Sequence, residues 1–437
     1  MLIGHWSFVQ TTLVILSAFA GILFLSRFRM PLGIALIAGG IGLDAWANPS
    51  PGRLVRDLAT ALAQSDVWLL LLICVLLLEF GRFLGAEANA KAILVAARQW
   101  GGRHGRAISL MVMPAAIGLV PMPGGALVSA PLVDRAVPEE DWSSEWKAAV
   151  NYWFRHVWEY WWPLFPVVIV TLSIFHVPTW QYMATLIPYS VMSIAAGYVF
   201  LVRPHLERLA GGATADKAEP ARLRTLAIAL GIVVAGTLVL PSLVNACLPR
   251  VSSQTNKMMA MAVGMAAGLA WLVWSDRGRE SIRLFETLRE GKSINQLSTL
   301  GGVMVFQSLL DSSGLLPRAG SELVGGGFPL PVVVALLPLV AGFVTGVAAG
   351  FAGVAFPLVV GLMNTSGSGL TPLATLALAF GFGYAGMMLS PVHLCLILTR
   401  NYFDAPMAFI YRHLRPCIAS LMIGAVGLFV LLRWFGV

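Results

Sequence analysis

The sequence predicts an all-α polytopic membrane protein made of two inverted repeats, each with five transmembrane helices and one re-entrant hairpin. Three observations carry this: the composition, the distribution of basic residues, and a helix-breaking pattern that occurs twice. The chain has 437 residues, 58% hydrophobic and only 11% charged, with a mean hydropathy of +0.79. Soluble domains carry about 25% charged residues. Apolar stretches of about 17 residues or more recur, each long enough to span a bilayer as a helix. They are continuous rather than alternating, which excludes a β-barrel.

The expected spans are 8–25, 30–47, 66–84, 146–175, 181–202, 223–245, 257–275, 295–317, 370–399 and 408–432. No basic segment precedes the first, so it reads as an uncleaved span rather than a signal peptide. Two more apolar segments, 106–133 and 329–361, are dense in proline and glycine: Pro114, Pro121, Pro123, Gly124 and Gly125 in one, Pro338, Gly342, Gly346, Gly350, Gly353 and Pro357 in the other. Read as hairpins that leave on the side they enter, they keep ten spans. Of the 29 Lys and Arg, counting those at span ends with the adjoining loop, 21 then fall on one side and six on the other, with Arg82 and Arg155 assigned to neither. The rich side is cytoplasmic, which puts both termini outside the cytoplasm. The formal charge of +8 is thus a topology signal and implies no nucleic-acid partner.

The two problem segments resemble each other. "MPAAIGLVPMPGGALVSAPLV" (113–133) aligns with "LPLVAGFVTGVAAGFAGVAFPLV" (337–359), and a proline inside the next span follows each, at Pro163 and Pro391. Five spans is an odd number, so residues 223–437 lie inverted relative to 1–205, joined by a charged cytoplasmic linker, 206–222. Inverted repeats with broken helices are the sequence pointer to a secondary transporter, with its site at the midplane. Non-helical backbone at membrane depth is tolerated only within protein or beside a water-filled cavity. Broken ends there present amides suited to anions and carbonyls suited to cations. The candidate substrate contacts at the hairpins are therefore Pro123, Gly124, Gly125, Gly346 and Gly350.

The densest polar stretch is "NYWFRHVWEYWWPLFP" (151–166). Asn151, Arg155, His156 and Glu159 occupy one broken span, where ionisable groups are expensive and usually functional. Arg155 is suited to clamp an anionic group in a bidentate way, or else pairs with Glu159 at i,i+4 to hold the break. His156 is either a proton shuttle or a hydrogen-bonded structural residue. The aromatics of this stretch read mainly as packing. In the second half, Ser390, Pro391 and His393 mark the break of "GFGYAGMMLSPVHLCLILT" (381–399). Ser390 and His393 join the substrate candidates, while Ser129, Glu159, Thr345, Asn364 and Thr365 are candidates for the coupling ion. Glu79 with Arg82 at i,i+3 reads mainly as a structural pair. The four cysteines, Cys74, Cys247, Cys395 and Cys417, have no CxxC spacing and read as buried free thiols.

"PMPGGALVSAP", "NYWFRHVWEYWWPLFP" and "LSPVHLCLILT" are similar to a prokaryotic membrane family known as domain of unknown function 401. The repeat order resembles the ion transporter superfamily of secondary carriers. That resemblance implies an elevator-type transporter: a homodimer of scaffolds, with a mobile domain carrying both hairpins. It implies no substrate, and the Ser-Asn-Thr signatures of the dicarboxylate branch are absent from the hairpin tips.

The expected function is ion-coupled secondary transport of a small organic anion, by symport with Na⁺ or H⁺, across the cell inner membrane. The alternative on the same architecture is a cation/proton antiporter. No cofactor is expected beyond the coupling ion, and no enzyme activity. An intramembrane enzyme would have to rest on His156 and Glu159, and such a pair without further ligands makes no metal site.

Overall fold

In the computed structural model proline and glycine start or end several of the helices, whereas Pro114, Pro131, Pro188, Pro338, Pro357 and Pro416 lie inside helices. The structure describes residues 10–28, 30–86, 89, 92, 105–119, 125–137, 142–209, 220–275, 283–289 and 291–437. Among these residues every regular element is a helix.

The first half runs α1 (Gln10–Arg27), α2 (Leu32–Ala47), α3 (Pro51–Ala63), α4 (Ser65–Gly85), α5 (Gly105–Gly118), α6 (Gly125–Ala136), α7 (Ser144–Arg155), α8 (Pro166–Phe175) and α9 (Thr179–Gly197). The second runs α10 (Pro220–Leu238), α11 (Leu240–Cys247), α12 (Ser253–Ser275), α13 (Leu284–Arg289), α14 (Gly291–Ser313), α15 (Leu315–Gly325), α16 (Leu330–Thr345), α17 (Ala348–Met363), α18 (Pro372–Leu389), α19 (Leu394–Phe403) and α20 (Met407–Trp434).

Five helical stretches are long and apolar enough to cross a bilayer unaided: α1, α9 with its continuation to His205, α12, α18 with α19, and α20. The expected span 223–245 is the pair α10 and α11, bent by 44°. The expected span 66–84 is α4, which α3 meets at 46°. The expectation of one span over 295–317 needs correction at its C-terminal end. Gly314 takes a left-handed φ of 65° and ends α14 at Ser313, and α15 then starts as a separate helix. The polar residues Asn295, Gln296, Ser298 and Thr299 also keep α14 less apolar than α2 and α17, on which it packs.

The segments expected as hairpins hold four short helices, and α5 packs on α6 as α16 packs on α17. A 16-residue helix rises roughly 24 Å, less than the hydrocarbon core. The α16–α17 turn is made by Gly346 at a φ of 62° and extended Val347. The tip expected to hold Pro121, Pro123 and Gly124 lies outside the described residues, as does most of the linker.

Both broken spans appear as such. α7 ends at Arg155 and α8 begins at Pro166; α18 ends at Leu389 and α19 begins at Leu394. Proline at the first turn of α8 is compatible with a helix start because that amide has no intrahelical partner anyway. The second arms end alike. His176 after α8 and Asp404 after α19 are the two non-glycine residues with positive φ among those described.

Packing repeats between the halves. α2 packs on α14 as α12 packs on α4; α8 packs on α17 as α19 packs on α6; α5 packs on α7 as α16 packs on α18. The hairpins, the broken spans, α9 and α20 form one group. The rest form another, touching the first chiefly through α17 on α14 and α15 and α1 on α16, with smaller contacts of α1 on α17 and α9 on α10.

Candidate functional site

A ten-residue interruption of a buried helix leaves carbonyls that must find donors. Between α7 and α8 turn amides serve the Trp158 and Trp162 carbonyls, and hydroxyls reach three others. Tyr384 donates to the His156 carbonyl at 2.7 Å, Tyr182 to that of Tyr160 at 2.8 Å, and Ser190 to that of Val157. The C-terminal carbonyls of α18 are met the same way, Met388 by Tyr152 (3.3 Å) and Leu389 by Tyr411 (2.8 Å). These oxygens are therefore engaged by protein, which moves the chemistry of the site from open backbone to side chains. The tyrosines were not singled out from sequence, because a lone aromatic in an apolar span reads as packing.

The hairpins close on the breaks. Gly118, at the end of α5, lies so near the Arg155 carbonyl that a Cβ would collide with it. Trp158 donates to the Ala115 carbonyl at 2.9 Å. At the second hairpin, a Cβ on Gly346 would lie 2.9 Å from both the His393 amide nitrogen and Ser390 Oγ. Glycine is required twice over there, by the contact and by the left-handed φ.

The two breaks then meet. His156 Nε2 and His393 Nε2 are 3.1 Å apart. Arg155 Nη1 lies 3.6 Å from Glu159 Oε1, and His156 Nε2 lies 3.9 Å from the same oxygen. Tyr384 Oη reaches Glu159 Oε2 at 3.4 Å. Arg155, His156 and Glu159 are 3%, 2% and 7% exposed, so none is solvated at the surface. Asn151 Nδ2 donates to the Ala126 carbonyl (3.2 Å) and Thr399 Oγ1 (3.0 Å), tying α6 and α19 together, while its Oδ1 is buried without a hydrogen bond. Ser129 Oγ sits beside the same turn, bonded to the Gly125 and Ala126 carbonyls at 3.3 and 3.4 Å.

The structure thus gathers Gly125, Ser129, Asn151, Arg155, His156, Glu159, Gly346, Ser390 and His393 around one crossing. Thr345 and Gly350 flank the second tip, where Thr345 Oγ1 bonds back to the Ala341 carbonyl at 2.7 Å. Pro123 and Gly124 lie outside the described residues. Asn364 and Thr365 are set apart at the far end of α17, with Thr365 against Gly320 of α15. Glu79 accepts from Arg82 (2.8 Å) and from the Arg283 amide (2.7 Å), anchoring the start of α13 rather than facing the crossing. Cys395, the second residue of α19, joins the two histidines. A cavity of about 290 Å³ opens beside the second tip, lined by Leu23, Phe24, Arg27, Phe343, Val344, Pro391 and Val392.

Paired short helices closing on two broken spans, inside a multi-pass helical chain, make this a membrane protein with a transporter-like fold. The chain belongs to the family described as protein of unknown function (DUF401), whose model matches residues 58–432. Its fold is similar to that of the YdaH transporter of Alcanivorax borkumensis, a crystal structure described as having an unusual topology. The TM-score is 0.51 at 15% identity, over 88% of each chain. No curated protein matches the sequence.

Proposed function

We propose that the protein is an ion-coupled secondary active transporter of a small organic anion. It works by an elevator mechanism on two inverted repeats, 1–205 and 223–437, within the ion transporter superfamily. The observation that carries this reading is the meeting of the two breaks at His156 and His393, with a hairpin closing on each. A site assembled equally from both halves, between half-length helices, is the arrangement of alternating-access carriers. Arg155 supplies positive charge there, and Arg27 supplies it at the mouth of the adjacent cavity. The exchange-related packing of the halves supports the repeat. The grouping of hairpins, broken spans, α9 and α20 supports a mobile domain, with the remaining helices as a scaffold. The scaffold would form the homodimer in the inner membrane, with both termini outside the cytoplasm. No catalytic role is assigned to any residue.

The antiporter reading draws on Glu159, a carboxylate buried between Arg155, His156 and Tyr384. Proteoliposomes separate the two. Uptake of labelled organic anions driven by a Na⁺ or proton gradient supports the symporter. Dissipation of a proton gradient by added Na⁺ or K⁺, without anion uptake, replaces it with the antiporter. Neither flux would sink both.

A further inference from the structure

Three metal-ligating side chains from both halves meet at the crossing. One ligand atom from each of His156, His393 and Cys395 lies within 4.8 Å of the other two, and all three residues are buried. The two Nε2 atoms, at 3.1 Å, are near the spacing of two nitrogens on one tetrahedral ion. With metal–nitrogen bonds of about 2.0–2.1 Å that spacing is roughly 3.3 Å.

The ring of His156 is oriented as a ligand. Its Nδ1 is 2.5 Å from the Tyr152 carbonyl. A carbonyl only accepts, so Nδ1 carries the hydrogen, and in the neutral ring Nε2 keeps its lone pair towards His393. Donation of the far N–H to a backbone carbonyl is the usual device that fixes the tautomer of a metal-bound histidine. Glu159 Oε1, 3.9 Å from His156 Nε2, is within a small shift of serving as a fourth ligand. Tyr152 packs edge-on against both imidazoles, with ring centroids at 4.8 and 5.4 Å, and holds them together.

We propose that His156, His393 and Cys395 form an intramembrane binding site for a thiophilic d¹⁰ metal ion, Zn²⁺ or Cu⁺. Imidazole and thiolate favour these ions, whereas Na⁺, Mg²⁺ and Ca²⁺ prefer oxygen. As the metal–sulfur bond forms, the thiol S–H breaks and its proton leaves to solvent, one per ion bound. The site shares His156 and His393 with the transport reading, but the metal proposal does not rest on anion transport.

The test uses the full-length protein purified in detergent and stripped with a chelator. Zn²⁺ is titrated directly, Co²⁺ serves as its spectroscopic stand-in, and Cu⁺ is added without oxygen against a chromogenic chelator. The expected result is one ion per chain, one proton released, and a thiolate-to-cobalt charge-transfer band. Cys395→Ser abolishes the band. His393→Gln weakens binding by at least about tenfold, the scale on which even outer-shell partners act. Cys417→Ser, a buried thiol outside the cluster, changes neither. X-ray absorption of the zinc-loaded wild type gives one sulfur with nitrogen neighbours, whether or not the variants fold. No bound ion, binding indifferent to both Cys395→Ser and His393→Gln, or a zinc spectrum without sulfur overturns the proposal. Metal binding without anion uptake would sink the transport reading alone, and anion uptake without metal binding would sink this one alone.

Discussion

His156 and His393 stand 237 positions apart in the chain and 3.1 Å apart at their Nε2 atoms. Each lies at a helix break, His156 just after α7 and His393 just before α19. Their contact is where the two halves share one polar centre, so substitutions around it distinguish structural from transport roles.

Arg155 and Glu159 provide a double-mutant cycle. Removing one partner of a buried ion pair costs about 3–5 kcal/mol, because the other charge is stranded. Arg155→Met and Glu159→Gln should each lower folded yield and thermal stability, and the double variant should recover both. Recovery of transport in the double variant would remove Arg155 from substrate binding. Recovery of stability without transport is the outcome expected if Arg155 also holds the anion.

Gly346→Ala should stop transport while leaving protein abundance near wild type. The added Cβ strains a left-handed φ and presses on Ser390 and His393. Strain of this kind costs about 1–3 kcal/mol, too little to unfold a chain of this size, yet it falls at the hairpin–break contact. Uptake at wild-type rate would show that this contact does not need to close.

Tyr384→Phe removes the shorter of the two donors to the buried His156 carbonyl, leaving the Glu159 amide at 3.4 Å. The expected loss of stability is about 1–3 kcal/mol, read as a lower thermal midpoint in detergent. Phe80→Leu, on α4 and away from the crossing, serves as the packing control. Transport by Tyr384→Phe should fall by more than transport by the control does. Equal losses would reduce Tyr384 to packing.

The elevator reading makes α17 slide past α14. A Cβ on Gly353 would lie 3.3 Å from Val303 Cβ, close to the spacing a disulfide spans. The pair Val303→Cys and Gly353→Cys should cross-link on oxidation and arrest transport, and reductant should restore it. Full transport in the cross-linked protein would mean these helices do not move against each other.

Orientation is tested with single cysteines in a cysteine-free background. Positions 89 and 212 should resist an impermeant thiol reagent applied to intact cells, and position 252 should react. Labelling of position 212 from outside would overturn the inverted order of the halves.

Much of the architecture was legible in the sequence, because hydrophobic length and proline placement act locally. A run of apolar residues has to be helical in a bilayer, since no water is present to satisfy its backbone. Pro166 starts α8 and Gly346 ends α16 as their local backbone preferences predict. The paired breaks, the hairpins, and the cluster Asn151, Arg155, His156 and Glu159 followed from such local rules, as four polar groups in one span are conspicuous against an apolar background.

What the sequence could not supply is which groups face one another across the fold. Three hydroxyls from α18 and α9 engage the carbonyls that looked open for ions, and nothing in the local pattern of Tyr384, Tyr182 or Ser190 announces it. His393 and Cys395 carry no metal spacing with His156, because the ligands come from different halves and only the crossing of the broken spans brings them within 4.8 Å. Chemical identity and helix length are properties of a segment, whereas a site made of three residues on two segments is a property of their packing. The sequence determined that the chain spans the membrane and where its helices break; the tertiary structure alone decided that the breaks converge on two histidines and a thiol.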